Sequence, residues 1–398
     1  MLKNEQWILP EGISEILSPQ AMAIELKRRD LLDMFYSWGY DLVDPPVIDF
    51  LDSLLTGTGY DLELMTFSLT DQMSGRLLGI RADMTPQVAR IDAHHIKHDH
   101  PTRFCYIGQV LKTRLEGLSQ SRSPMQLGAE IYGHQGYQSD IEIIELLVNT
   151  LTQVGIKDIT LDFGHVNIFS ALAESAGLGK NEEQLLFDAI QRKSICDIQE
   201  QLRRLNLTQE LMDKFLVLVK LHGDPSIISS ARNLFQEPDI LKALDDLQAI
   251  ADYLQNILPD VNLFFDLAEL RGFNYHTGLV FSAYVPGHGQ AVAMGGRYDG
   301  IGKTFGRSRA ATGFSTDLAH LVSLSDINKN LEEKLSSQAI FAPYVDEADD
   351  LLEQQISKLR ASGERVIREL TGQTLDLNEM GCSRLLKKEG DSWIIVEL

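Results

Sequence analysis

Apolar residues recur at helical spacing over residues 18–38, with Ile24, Leu31, Met34, Phe35 and Trp38 on one side. Ser18 is placed to cap this helix, Pro19 to open it and Gly39 to end it. Tyr40 to Pro46 is short and extended and closes on two prolines, as an edge strand does. Residues 64–69 and 76–81 flank Asp71-Gln72-Met73-Ser74-Gly75 and predict a hairpin. Thr85-Pro86 opens a further helix, with the threonine as cap. Strands are predicted at 103–111 and 124–132, a helix at 138–153 and a strand at 159–163. From 168 to about 256 strand alternation stops and leucines take helical spacing, so a helical insertion is expected. Strands return at 262–267, 278–285 and 289–294, followed by a tight loop over Gly295–Gly300. Residues 312–324 predict a strand turning into a helix. Strands neighbour strands here instead of alternating with helices, which predicts an α+β fold with an antiparallel-rich sheet. The division expected is a core domain over 1–325, carrying the insertion, and a small α/β domain over 331–398. In the latter, strands are expected at 339–344, 364–370 and 393–398 and a helix at 347–359.

The chain has 398 residues, 44 % of them apolar, enough for a sizeable core. Its formal net charge of −21 repels nucleic-acid phosphate over the surface as a whole. Residues 181–220 hold six Lys/Arg against seven Asp/Glu, so the insertion carries no basic tract. Residues 331–398 hold eight Lys/Arg against fourteen Asp/Glu, a poor basis for gripping RNA. Cys105, Cys196 and Cys382 are far apart and form no CxxC pair, which argues against a disulfide framework or structural zinc. No basic leader and no apolar run of membrane-spanning length is visible, so a soluble, cytoplasmic protein is expected.

Four segments hold candidate chemistry. Asp83 and Thr85 stand at i and i+2 before a helix and could hold an ammonium group or simply cap that helix. Gln126, Gly128 and Glu130 share one face of a strand, which is either a ligand face or a solvated one. Leu270 to Gly278 carries Arg271, suited to clamping a carboxylate, with Tyr275 and His276. Gly295-Gly296-Arg297-Tyr298-Asp299-Gly300 is the fourth. His94 and His98 stand at i and i+4 with no cysteine nearby to complete a metal site, so no metal or cofactor is expected.

Taken together, these segments over residues 7–324 resemble the catalytic core of class II histidyl-tRNA synthetases. The helix at 18–38 with Tyr40–Pro46 is similar to the family's dimer-forming motif. Arg103 to Glu130, with Tyr106-Ile107-Gly108 and Leu127-Gly128-Ala129-Glu130, is similar to its second motif, and Leu270 to Val280 to its histidine signature. The resemblance implies a class II synthetase-like sheet with flanking helices, and a histidine pocket. Asp83, Thr85 and Gln126 would meet the backbone end of the amino acid, and Glu130 its imidazole. Arg271 would lie near its carboxylate, and Tyr275 and His276 would close the pocket. The family usually has Glu at position 83, Asp at 274 and Tyr at 276.

The ATP positions of the resemblance are worn. Lys112 stands where an arginine would grip the α-phosphate, Pro124 where an aromatic would stack on adenine, and His320 where a second arginine would grip the γ-phosphate. Phosphoryl chemistry depends on such cationic clamps, so adenylation is expected to fail, with Arg114 and Arg122 left as partial substitutes. A worn paralogue of this kind resembles the regulatory-subunit family of ATP phosphoribosyltransferase. That resemblance implies a non-catalytic partner of the short-form catalytic subunit, a homodimer core within a hetero-octamer, and histidine as effector. Active synthetase and other adenylate-forming paralogues are the alternatives.

Overall fold

The computed structural model describes residues 8–56, 60–115, 121–205, 207–270, 275–325, 330, 331, 335, 338–345, 349–372 and 376–398. Two compact units result, one formed mainly by Arg28–Leu324 and the other by Ser325–Leu398 with Glu15–Lys27.

The first unit supplies β1 (Asp41–Leu42), β2 (Ile48–Phe50), β3 (Phe67–Thr70), β4 (Leu77–Ile80), β5 (Thr102–Gln109) and β6 (Met125–Tyr132). It continues with β7 (Thr160–His165), β8 (His222–Gly223), β9 (Asn262–Asp266), β10 (Leu279–Tyr284), β11 (Ala293–Arg297) and β12 (Ala311–Asp317). Among the described residues, nine strands form one sheet in the order β1-β5-β6-β12-β11-β10-β7-β9-β8. β1 runs parallel to β5 and β7 parallel to β9, and the other pairs are antiparallel. The predicted hairpin is β3–β4, with β2 added on the far side of β4.

Helix Tyr137–Val154 packs on β6, β11 and β12 through a stripe that includes Ile144, Leu147 and Leu151, all fully buried. It stops at Gly155, whose φ of 100° is open to glycine and whose N–H returns to Leu151 and Thr152. Helix Thr85–His95 lays Val88 and Ala89 into a cluster with Phe104, Tyr106, Tyr132 and Tyr298. Between β7 and β9 the described chain is mostly helical, from Val166–Ser175 to Pro238–Ile257. β8 lies inside it and pairs with β9, a two-residue strand too short to show alternation in sequence.

The Gly295–Gly300 segment corrects the expected loop. Gly295 and Gly296 lie in β11, paired on both sides with β10 and β12, and Arg297 ends the strand opposite Thr312 of β12. A Cβ on Gly295 would stand 2.4 Å from the Gly313 carbonyl and 2.4 Å from the Phe281 ring. The glycines therefore serve close packing inside a sheet, which local turn statistics read as flexibility. Arg297 turns inward and its guanidinium donates to Asp140 Oδ2 at 2.8 Å, to Ser139 Oγ at 3.0 Å and to the carbonyls of His134 and Gly136. Burial raises the Asp140 carboxyl and Arg297 opposes that shift.

The small unit holds β13 (Ala339–Ala342), β14 (Val366–Arg368), β15 (Cys382–Glu389) and β16 (Ser392–Glu397), in the order β14-β13-β15-β16. Helix Asp350–Ala361 covers one face, capped by Asp349, whose carboxylate accepts from the N–H groups of Leu351 and Leu352. β15 is not among the predicted strands, because Arg384, Lys387 and Lys388 interrupt its apolar pattern.

Removing one member of a buried ion pair strands the other. Arg297→Met should lower stability by about 3–5 kcal/mol, and adding Asp140→Asn should recover part of that loss. Urea unfolding of the single and double variants tests this.

Candidate functional site

The site is built on β6. Glu130 faces Phe104 of β5 on one side and Gly313 of β12 on the other. Register then sets Gly313 beside Gly296, Gly296 beside Val280, and Val280 beside Gly164. Paired residues point to one face of a sheet, so a row with three glycines runs outward from Glu130. The glycines hold room for specific groups. A Cβ on Gly313 would meet Glu130 Cγ at 2.8 Å and the Tyr298 hydroxyl at 3.0 Å. A Cβ on Gly296 would meet His276 Nδ1 at 3.0 Å, and one on Gly128 would strike the Tyr106 hydroxyl at 2.4 Å.

A chain of hydrogen bonds joins the polar groups. Gln126 Nε2 donates to Asp83 Oδ1 at 2.7 Å, and Asp83 Oδ1 also accepts from the Thr85 N–H at 3.0 Å. Gln126 Oε1 accepts from the Met84 N–H at 2.9 Å. The hydroxyls of Thr85 and Tyr106 lie 3.1 Å apart. Tyr106 donates to Glu130 Oε1 at 3.1 Å, and Tyr132 donates to Glu130 Oε2. Thr85 does not cap its helix as expected. Its hydroxyl is committed to Tyr106, while the Asp83 carboxylate takes the Thr85 N–H.

Glu130 is 1 % exposed, and burial lifts its carboxyl to about pKa 7, with Asp83 adding repulsion and the tyrosine hydroxyls opposing the rise. The same burial and the two carboxylates hold the Tyr275 phenol well above its usual range. Tyr275 stacks on Tyr298 at 5.2 Å, and His276 meets the edge of Tyr275 at 5.3 Å. Burial pushes His276 down to about pKa 4, so it is neutral at physiological pH. Among the described residues, the hydroxyls of Tyr275 and Tyr298 and His276 Nδ1 are buried without a hydrogen-bond partner. Such groups ordinarily find one. The site thus offers a carboxyl poised near neutrality and three unmet polar atoms, an arrangement suited to a small ligand with N–H groups.

Asp83, Thr85, Gln126 and Glu130 are therefore one connected set, and Tyr275 lies beside it. Arg271 lies outside the described residues. Tyr106, Tyr132 and Tyr298 were not singled out as site residues. Tyr132 continues the same-face series 126, 128, 130 by one step, which is the signal that finds it.

The positions that the resemblance assigns to ATP lie beyond the ends of β5, β6 and β12. Lys112 follows β5, and its backbone exchanges bonds with Arg122, N–H to carbonyl at 2.8 Å and guanidinium Nε to the Lys112 carbonyl at 3.0 Å. Arg122 also reaches the Glu11 carbonyl at 3.2 Å. Its guanidinium is thus held by backbone oxygens. The Pro124 carbonyl accepts from the Val110 N–H at 3.1 Å. His320 is exposed and meets His288 edge to face at 5.9 Å. The His98 ring stacks on His100, and among the described residues no group of three metal-ligating side chains converges.

The family model for histidyl-tRNA synthetase matches residues 12–321. A second model, the C-terminal domain of the ATP phosphoribosyltransferase subunit HisZ, matches residues 337–396. A relative from Thioalkalivibrio sulfidiphilus, an ATP phosphoribosyltransferase regulatory subunit, is 51 % identical over 401 residues, covering 100 % of both chains. The chain belongs to the ATP phosphoribosyltransferase regulatory subunit family. Members of this family are non-catalytic subunits of an enzyme, on a synthetase-like α+β fold. A Bacillus halodurans structure described as an ATP phosphoribosyltransferase regulatory subunit/histidyl-tRNA synthetase superposes with a TM-score of 0.84 at 24 % identity, covering 95 % of this chain and 97 % of that one. A chain of the ATP phosphoribosyl transferase (HisG:HisZ) complex from Thermotoga maritima gives a TM-score of 0.59 at 18 % identity, covering 76 % of this chain and 98 % of that one. Among the described residues, no helix of this regulatory subunit is long and apolar enough to cross a membrane.

The raised Glu130 carboxyl also has a stability signature. Its folded pKa of about 7 stands above the unfolded 4.5, so its contribution is full below 4.5 and is lost as pH rises through 7. Without ligand, the wild type should lose up to roughly 3 kcal/mol relative to Glu130→Gln between pH 4.5 and 8. Denaturant titrations of both proteins across that range check it, and parallel curves would refute it.

Proposed function

We propose that the Glu130 pocket binds free histidine, and that the chain uses it to convey feedback inhibition to a short-form ATP phosphoribosyltransferase catalytic subunit that it otherwise activates. The observation that carries this reading is the Glu130 carboxyl between two tyrosine hydroxyls, with the Tyr275 hydroxyl and His276 Nδ1 unmet beside it. An imidazole presents two nitrogens and needs such partners. Asp83, Thr85 and Gln126 suit the ammonium end. Arg271 is assigned to the carboxylate on the family resemblance. Histidine binding one state of the complex better than the other shifts the complex toward it. A coupling of ~1–3 kcal/mol changes affinity roughly 5- to 150-fold.

The assembly with a catalytic subunit follows the Thermotoga maritima neighbour, whose chain is part of such a complex. A homodimer core within a hetero-octamer, in the cytoplasm, follows the family resemblance. Synthetase chemistry is disfavoured by the combination of Lys112, Pro124 and His320, and by an Arg122 already bound to the carbonyls of Lys112 and Glu11.

Mixing the chain with the catalytic subunit should accelerate phosphoribosyl-ATP formation, and added histidine should suppress it. Glu130→Gln should keep the acceleration and lose at least tenfold in histidine sensitivity, the loss of about 1.4 kcal/mol. Histidine-dependent exchange of pyrophosphate into ATP should be absent, and robust exchange would return the chain to the synthetases.

The two titrations also fix a pH profile. One proton serves the pair of Glu130, near 7, and free imidazole, near 6.5. Below both values the complex must release a proton, and above both it must take one up. Histidine inhibition should therefore peak near pH 6.5–7 and weaken on either side, by up to about tenfold per pH unit. Inhibition curves at several pH values test it, and a flat profile would rule out a shared proton.

A further inference from the structure

Arg81 follows the last residue of β4 and is 3 % exposed. Its backbone is fixed on both sides. The Arg81 N–H donates to the Val47 carbonyl at 3.0 Å, and the Arg81 carbonyl accepts from the Leu111 N–H at 3.0 Å. Its guanidinium donates through Nε to the Gln109 carbonyl at 2.9 Å and through Nη1 to the Pro45 carbonyl. Both acceptors are neutral. Among the described residues no carboxylate forms an ion pair with Arg81, and Asp44, the acid that bears on it, is an exposed residue. Arginine stays charged in a protein, and a buried charge is ordinarily paired. The third nitrogen, Nη2, donates to no described group. It lies on the face of the sheet that carries Glu130. Gly108 of β5 is opposite Gln126 of β6 in register, and Gln126 shares its face with Glu130. A Cβ on Gly108 would stand 2.5 Å from Arg81 Nη2 and 3.4 Å from Met84 Sδ, so the glycine leaves the space that the guanidinium fills. Gln126 itself is bonded to Asp83 and to the Met84 N–H. A buried cation and a carboxylate thus stand around one glutamine.

We propose that Arg81 is a carboxylate-binding residue of the Glu130 pocket, and that Arg81 and Asp83 together read the two charges of a free α-amino acid. The inference rests on the reading of that pocket as a histidine site. The ammonium and carboxylate groups of an α-amino acid leave one carbon, so their partners must be neighbours. Arg81 and Asp83 are neighbours, both against Gln126 and its register partner Gly108. The unspent Nη2 offers a charge-assisted hydrogen bond to one carboxylate oxygen, which leaves the other for Arg271. A ligand with the same ring and ammonium but no carboxylate would leave the buried guanidinium uncompensated. A site built this way rejects the analogue that lacks the group it binds, so it selects amino acids over amines.

The test compares two ligands on the full chain by titration calorimetry. One is histidine, and the other is histidinol, which carries a hydroxymethyl group in place of the carboxylate. The parent should bind histidine more tightly by about tenfold or more, as a hydrogen bond between charged groups implies. Arg81→Gln should bring that ratio close to one. Arg81→Lys should keep part of it, because the charge remains and the fork is lost. Histidinol should bind all three proteins with little change. A residue that only braces the fold would weaken both ligands alike, and an unchanged ratio in Arg81→Gln would overturn the proposal. Equal binding of the two ligands by the parent would overturn it too, and that measurement needs no variant to fold. Arg271→Gln is the comparator. A ratio abolished there and intact in Arg81→Gln gives the carboxylate to Arg271 alone. Titration with AMP covers the other anion. AMP binding that is lost in Arg81→Gln while the histidine ratio holds would assign the guanidinium to a phosphate and overturn the proposal. If neither histidine nor histidinol binds the parent, the reading of the pocket fails, and this inference fails with it.

Discussion

The Glu130 carboxyl sits in the middle of a sheet, out of water, and everything around it answers the cost of keeping it there. Two tyrosine hydroxyls occupy its oxygens, Thr85 bonds one of those tyrosines, and Asp83 and Gln126 extend the chain of bonds to the start of the helix at Thr85. A buried polar network of this kind is stabilising only when its members are satisfied. Here it is satisfied at one end and open at the other, where Tyr275 and His276 wait. Both residues belong to Leu270 to Val280, the segment that resembles the histidine signature.

The positions that the family resemblance gives to the amino acid and to ATP differ in their bonding. Asp83, Thr85 and Gln126 join Glu130 through Tyr106 in one connected set. Arg122, beside the ATP positions, spends its guanidinium on the carbonyls of Lys112 and Glu11. A clamp on developing phosphate charge needs free cationic donors, and this one is already engaged.

Much of this was legible in the chain. Helix Tyr137–Val154, with its regular stripe and glycine stop, and strands β5 and β6, with their apolar runs, follow local rules. The shared face of Gln126 and Glu130 was visible as polar residues at even spacing on β6, and their burial was not. What local pattern could not show was the use of glycine. Gly295 and Gly296 read as a loop because glycine is common in turns, yet here they are strand residues spaced for neighbouring carbonyls and rings. Tertiary partners were equally hidden. Nothing near Arg297 in sequence announces Asp140, and nothing near Thr85 announces Tyr106, since each partner arrives from a distant strand or helix.

The glycine row beside Glu130 is walled by backbone as much as by side chains. A Cβ on Gly313 would stand 2.8 Å from the Ala129 carbonyl, and one on Gly296 2.6 Å from the Leu279 carbonyl. Carbonyls in a paired sheet cannot step aside as a flexible side chain can. That stretch of sheet therefore behaves as a gauge of fixed bore, and no side chain can be added along the row without prising strands apart. Any variant that reshapes the surroundings of Glu130 must draw its changes from the residues packed over the row, among them Tyr106, Tyr132, Tyr275 and Tyr298.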